Sequence, residues 1–85
     1  MKVSVHPRVY QKRRWIAEDD VVRAAEQPVD SKPRGGSDPP QIVGIGFDTA
    51  GRLLEWAAEV RADELLVFHA MEATAKMLKE LGIGG

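Results

Sequence analysis

The chain has 85 residues, a net charge of −1, 44% hydrophobic and 29% charged residues, and no cysteine. That length allows one domain with one modest core, and the missing cysteines exclude disulfides and thiolate metal sites. No apolar run is long enough to span a bilayer, and the N-terminus MKVSVHPRVYQKRRW lacks the apolar stretch of a signal peptide, so the cytoplasm is the expected location.

The small net charge conceals a polarity. Residues 1–16 carry Lys2, Arg8, Lys12, Arg13 and Arg14 with no acid, leaving seven basic residues against thirteen acids in the remainder. Such an end either binds an anion or is a solvated helix face. Val3-Ser4-Val5 reads as a short extended segment. Pro7 suits the first turn of a helix running to about Arg14. IAEDDVVRAAEQP is a clearer helix, with Glu18, Asp19 and Asp20 in its first turn, where the macrodipole favours negative charge, and Pro28 at its end. VDSKPRGGSDPP, residues 29–40, holds three of the five prolines and two of the eight glycines, and reads as a flexible loop that packs no core.

From Gln41 the pattern has the period of a strand. QIVGIGFD places Val43, Ile45 and Phe47 on one side and Gly44 and Gly46 on the other, where another backbone or a ligand can approach closely. RLLEWAAEV puts Leu54, Trp56, Ala58 and Val60 on one face. ELLVFHA forms a third strand, apolar on both faces, with Leu65, Val67 and His69 sharing one of them. Short connections make these three an antiparallel meander. EATAKMLKELG closes the chain as an amphipathic helix stopped by Gly82. The predicted fold is therefore a single α+β domain of order α-α-β-β-β-α, with a three- to four-stranded antiparallel sheet and helices packed on one face.

Three stretches carry a resemblance to a known family. KRRWIAEDDV (12–21), IGFDTAGRLLEW (45–56) and VFHAM (67–71) together resemble the BrnT-type toxins of bacterial type II toxin-antitoxin modules, small members of the RelE-like ribonuclease group. The His-Ala-Met strand end is similar to an actinobacterial subset. The resemblance implies a RelE-like domain whose active surface is the concave sheet face and which cleaves RNA without a metal. It implies Lys12, Arg13 and Arg14 as RNA-binding residues, Arg52 and His69 as catalytic ones, and no cofactor. It also implies a cognate antitoxin, a small ribbon-helix-helix or helix-turn-helix repressor, through which alone operator DNA is bound. A homodimer is open to such a chain. One feature departs from the pattern: many relatives carry an arginine just after the strand end, whereas this chain runs Met71-Glu72-Ala73-Thr74.

The chemistry behind those assignments is general. Cleaving RNA requires activating a 2′-hydroxyl, stabilising a charged phosphorane and protonating a leaving oxygen. Arginine and lysine supply the charge and histidine the proton transfer. Each residue also has a structural reading. His69 can be a hydrogen-bonded strand end, Arg52 an exposed turn residue, and His6 a residue leading into the first helix. Trp15 and Trp56 read as core or interface anchors. Two distant histidines and Asp19-Asp20 form no metal-ligand set, and GIGFDTAG is followed by no helix, so it is no phosphate loop. The rival to the toxin reading is a non-catalytic interaction domain of the same fold, and a net charge near zero speaks for it.

Overall fold

A computed structural model describes residues 2–36 and 38–83. The elements run β1 (Lys2–Val5), α1 (Arg8–Lys12), α2 (Glu18–Glu26), β2 (Asp30–Arg34), β3 (Gln41–Phe47), β4 (Leu53–Val60), β5 (Glu64–Glu72) and α3 (Ala75–Glu80). The α+β class holds, and the helices and strands expected from the sequence stand within a few residues of their predicted places. β1 forms where an extended segment was expected at Val3-Ser4-Val5, though the predicted element order did not count it as a strand, and β2 is additional. The order is β-α-α-β-β-β-β-α rather than α-α-β-β-β-α, and the sheet has five strands in the order β1-β5-β4-β3-β2.

The sheet is also mixed. β2, β3, β4 and β5 are antiparallel neighbours, but β1 returns beside β5 in parallel, Val3 opposite Leu65 and Val5 opposite Val67. The two-helix connection after β1 carries the chain to the far edge, which makes the parallel pairing possible. β2 lies within the stretch read as a loop. Its Asp30 to Arg34 pair with Ile45 to Gln41 of β3. Its composition hid it because β2 is an edge strand, with little to bury on one side and room for Pro33.

The helices occupy both faces, not one. α1 and α2 pack on the face formed by Leu54, Trp56, Ala58, Val67 and Ala70. On the other face Met77 of α3 packs against Val43, Ile45 and Ala57. This explains why β5 is apolar on both sides. α2 crosses β3 so closely that a Cβ at Gly46 would run into the Ala24 backbone, while Gly44 makes room for the Trp56 ring.

One irregularity positions the site. Ala57 faces His69 and Ala58 faces Val67, so Phe68 has no partner across the ladder. This β-bulge breaks the alternation. Leu65 and Val67 belong to the α2 side, but Phe68 and His69 both turn to the α3 side. The sequence pattern had placed His69 with Leu65 and Val67; the extra residue moves it to the opposite face.

Candidate functional site

β4 and β5 bring Glu55 and His69 together as diagonal neighbours, since Glu55 stands opposite Met71, two residues beyond His69. His69 Nε2 lies 2.8 Å from Glu55 Oε2. The other carboxylate oxygen accepts the Thr74 hydroxyl at 2.6 Å and the Thr74 N–H at 2.9 Å. Thr74 is the N-cap of α3 and accepts the Met77 N–H at 3.2 Å. Glu55 is only 5% exposed. Burial alone pushes its carboxyl up, but the hydrogen bonds from Thr74 and His69 outweigh it and hold the group below the usual carboxylate range.

The Glu55 contact concerns one ring nitrogen of His69. An ionised carboxylate only accepts, so His69 Nε2 must carry the proton. In the neutral ring Nδ1 then keeps its lone pair, and it has no hydrogen-bond partner among the described residues. The His69 side chain remains 34% exposed.

His69 and Phe68 line two cavities at once and so form the wall between them. The larger, about 410 Å³, lies against α3 and includes Ala57, Thr74, Met77 and Lys76. At its far side Arg34 of β2 makes a two-pronged ion pair with Glu80 of α3, Nε to Oε2 at 2.8 Å and Nη2 to Oε1 at 2.9 Å. The pair holds Glu80 below the usual carboxylate range. The smaller cavity, about 160 Å³, lies under α1 and is lined by Arg8, Lys12 and Arg13 together with Val9 and Ala70. Arg8 places its guanidinium carbon 5.9 Å from the centre of the Phe68 ring.

Comparison with protein-family models, with curated proteins and with solved structures gives no match.

The residues expected at the site divide into two groups. His69, Lys12 and Arg13 meet around the smaller cavity. Arg13 also reaches the Met71 sulfur at 3.7 Å. Arg14 is exposed beyond them. His6 is exposed too, its Nδ1 accepting the Arg8 N–H at 3.2 Å. Arg52 does not join His69. It stands five positions before Ala57, the strand partner of His69, which is roughly 16 Å along β4 at ~3.3 Å per residue.

Arg52 is held in its own turn. Its Nε donates to Asp48 Oδ2 at 2.8 Å, and its guanidinium stacks 4.7 Å from the centre of the Trp15 ring. Asp48 Oδ1 accepts the N–H groups of Ala50 and Arg52. Burial would raise the Asp48 carboxyl, but these donors and the guanidinium bring it below the usual range. The same turn is tied to α2, because Asp20 accepts both the N–H and the hydroxyl of Thr49.

Sequence reasoning missed Glu55, Thr74, Arg34 and Arg8 as members of this surface. Glu55 carried a signal, being an acid at a position with apolar neighbours in β4, and Thr74 is a preferred N-cap type three residues before Met77. Among the described residues no group of three or more metal-ligating side chains converges.

Proposed function

We propose that this domain is a metal-independent endoribonuclease acting as the toxin of a type II toxin-antitoxin pair, with the RelE-like domain type its sequence resembles. The observation that carries the reading is His69. It is oriented by a buried, ionised carboxylate and stands in the wall between a cation-lined cavity and an open cleft. Lys12 and Arg13 hold the scissile phosphate and stabilise the phosphorane charge. His69 Nδ1 takes the proton of the attacking 2′-hydroxyl as that oxygen bonds to phosphorus, and the 5′-oxygen leaves with a proton from water. Glu55 fixes the imidazole and balances the imidazolium that forms. Arg14 extends the basic strip toward the rest of the RNA, and Arg52 keeps its turn folded. The cognate antitoxin, a small repressor that alone contacts operator DNA, covers this face.

The second reading, an interaction domain without catalysis, is favoured by the net charge near zero and by one structural fact. Glu55 also ties α3 to the sheet through Thr74, which gives the Glu55–His69 pair a structural task. Induced expression in a bacterial host separates the two. The toxin reading expects slowed growth and fragmented RNA, relieved by the antitoxin, and neither effect with His69→Gln. Normal growth and intact RNA at confirmed soluble expression would leave the interaction domain.

A further inference from the structure

We propose that the two cavities together bind a single nucleotide unit, its phosphate among Arg8, Lys12 and Arg13 and its base against the Phe68 ring in the α3-side cleft. This deepens the ribonuclease reading and rests on it for placing that nucleotide in an RNA strand. The phosphate half follows from charge. Arg8 and Lys12 are four residues apart and share a face of α1, and Arg13 ends the helix beside them. Among the described residues none of the three has a carboxylate partner. Three cations around about 160 Å³ repel one another unless an anion enters, and a phosphate accepts from all of them.

The base half follows from the bulge. Regular alternation would have sent Phe68 and His69 to opposite faces; the extra residue sets both side chains in the wall shared by the two cavities. Arg8 lies over the ring from the α1 side. The ring also borders the cleft of about 410 Å³, which has Ala57 and Met77 as apolar walls and Thr74 and the Arg34–Glu80 pair as polar ones. A flat, apolar-faced ligand with a polar edge matches that lining. A single ligand that fills both cavities across the shared wall carries an anion a few atoms from its flat part. A nucleotide meets both demands, and base stacking on an aromatic side chain is a general mode of single-strand recognition.

The test follows backbone amide signals of the intact protein by NMR. It titrates inorganic phosphate, the four nucleoside 3′-monophosphates and phosphotyrosine. Phosphate should shift the signals of Arg13 and Ala70. At least one nucleotide should also shift Ala57 and Met77 and bind about tenfold tighter than phosphate, the size of one stacking contact. Phe68→Leu should remove that gain, so that the variant binds nucleotide no tighter than it binds phosphate, while Phe68→Tyr keeps it; thermal melting confirms that both variants are folded. Equal affinity for phosphate and all nucleotides, preference for phosphotyrosine, or a gain that survives Phe68→Leu would each overturn the proposal. RNA cleavage without nucleotide binding at Phe68 sinks this inference alone. Nucleotide binding at Phe68 without RNA cleavage sinks the ribonuclease reading and leaves the site standing.

Discussion

Two buried carboxylates stand seven residues apart on the β3–β4 hairpin, and each has a basic partner 2.8 Å away. Asp48 holds Arg52, and Glu55 holds His69. Both are kept below the usual carboxylate range by the donors around them, against the opposing effect of burial. The surroundings differ. The Asp48 group is built into the turn: both its oxygens serve the turn, and its arginine, though partly exposed, is stacked on Trp15 and has no nitrogen that can accept a proton. The Glu55 group is open on one side, because His69 keeps a nitrogen free at the wall of two cavities. The same pairing chemistry thus makes a turn lock in one place and, in the proposed function, orients a proton carrier in the other. What decides between them is the type of the basic partner: a guanidinium stays protonated, whereas an imidazole can give and take a proton near neutral pH.

That comparison can be broken by stability measurements. Asp48→Ala should have the largest effect. It leaves two turn N–H groups and a guanidinium without their acceptor, and should cost on the order of 3 kcal/mol, at roughly 1–3 kcal/mol per unpaired buried group. A melting temperature lowered by more than about 10 °C would be the sign in a domain of this size. Glu55→Gln should cost less, about 1–2 kcal/mol, because the amide oxygen can still accept from Thr74. Its amide group, however, now donates toward His69 Nε2. The ring must then carry its proton on Nδ1, so cleavage should fall about 100-fold, the scale of a lost proton-transfer group, in a protein that still folds. If Glu55→Gln kept full activity, Glu55 would be no more than the tie for α3.

Acidity probes both carboxylates together. Asp48, Glu55 and Glu80 all have folded-state pKa values below their unfolded ones, so the unfolded chain binds more protons as pH falls. Their contribution to stability is complete above about pH 5 and is lost as pH falls through the folded values, given unfolded carboxylates near 4. Urea midpoints should therefore be level from pH 7 to 5 and decline steadily below that. Asp48→Asn should flatten the decline, whereas a midpoint independent of pH down to 3 would refute the pairing of these groups. The smallest change belongs to Glu80→Gln. Its partner Arg34 is partly solvated, and losing the pair should cost about 1 kcal/mol or less, read as a melting shift of only a few degrees.

Most of the element pattern could be read from the sequence because it follows from periodicity and helix-end chemistry. The helix ending before Pro28, the alternating QIVGIGF strand with its close-approach glycines, and the amphipathic C-terminal helix all lie where side-chain patterning puts them. Non-local pairing could not be read. Nothing in Val3-Ser4-Val5 says that it will lie parallel to β5, and Asp30–Arg34 has the composition of a loop because an edge strand buries little. The bulge at Phe68 was equally hidden, since it depends on how β4 and β5 settle their register, and it reversed the face of His69. His69, Lys12 and Arg13, singled out through the family resemblance and by residue type, do lie together around one cavity. Glu55 was passed over because an isolated acid in a strand gains its meaning only from its cross-strand neighbour.

The most direct measurement compares the cleavage rate of a single-stranded RNA oligonucleotide by the unsubstituted protein, His69→Gln and Arg52→Gln, well below the melting temperature of each. His69→Gln retains a hydrogen-bonding side chain but cannot carry a proton near neutral pH. It should lose at least about 100-fold in rate, within the usual range for a general acid or base, while melting within a few degrees of the parent. Arg52→Gln should melt lower, by about 1 kcal/mol, and cleave within about threefold of the parent. Equal losses in the two variants, or a His69→Gln protein that cleaves at the parent rate, would contradict the division between a turn lock at Asp48 and a working histidine at Glu55.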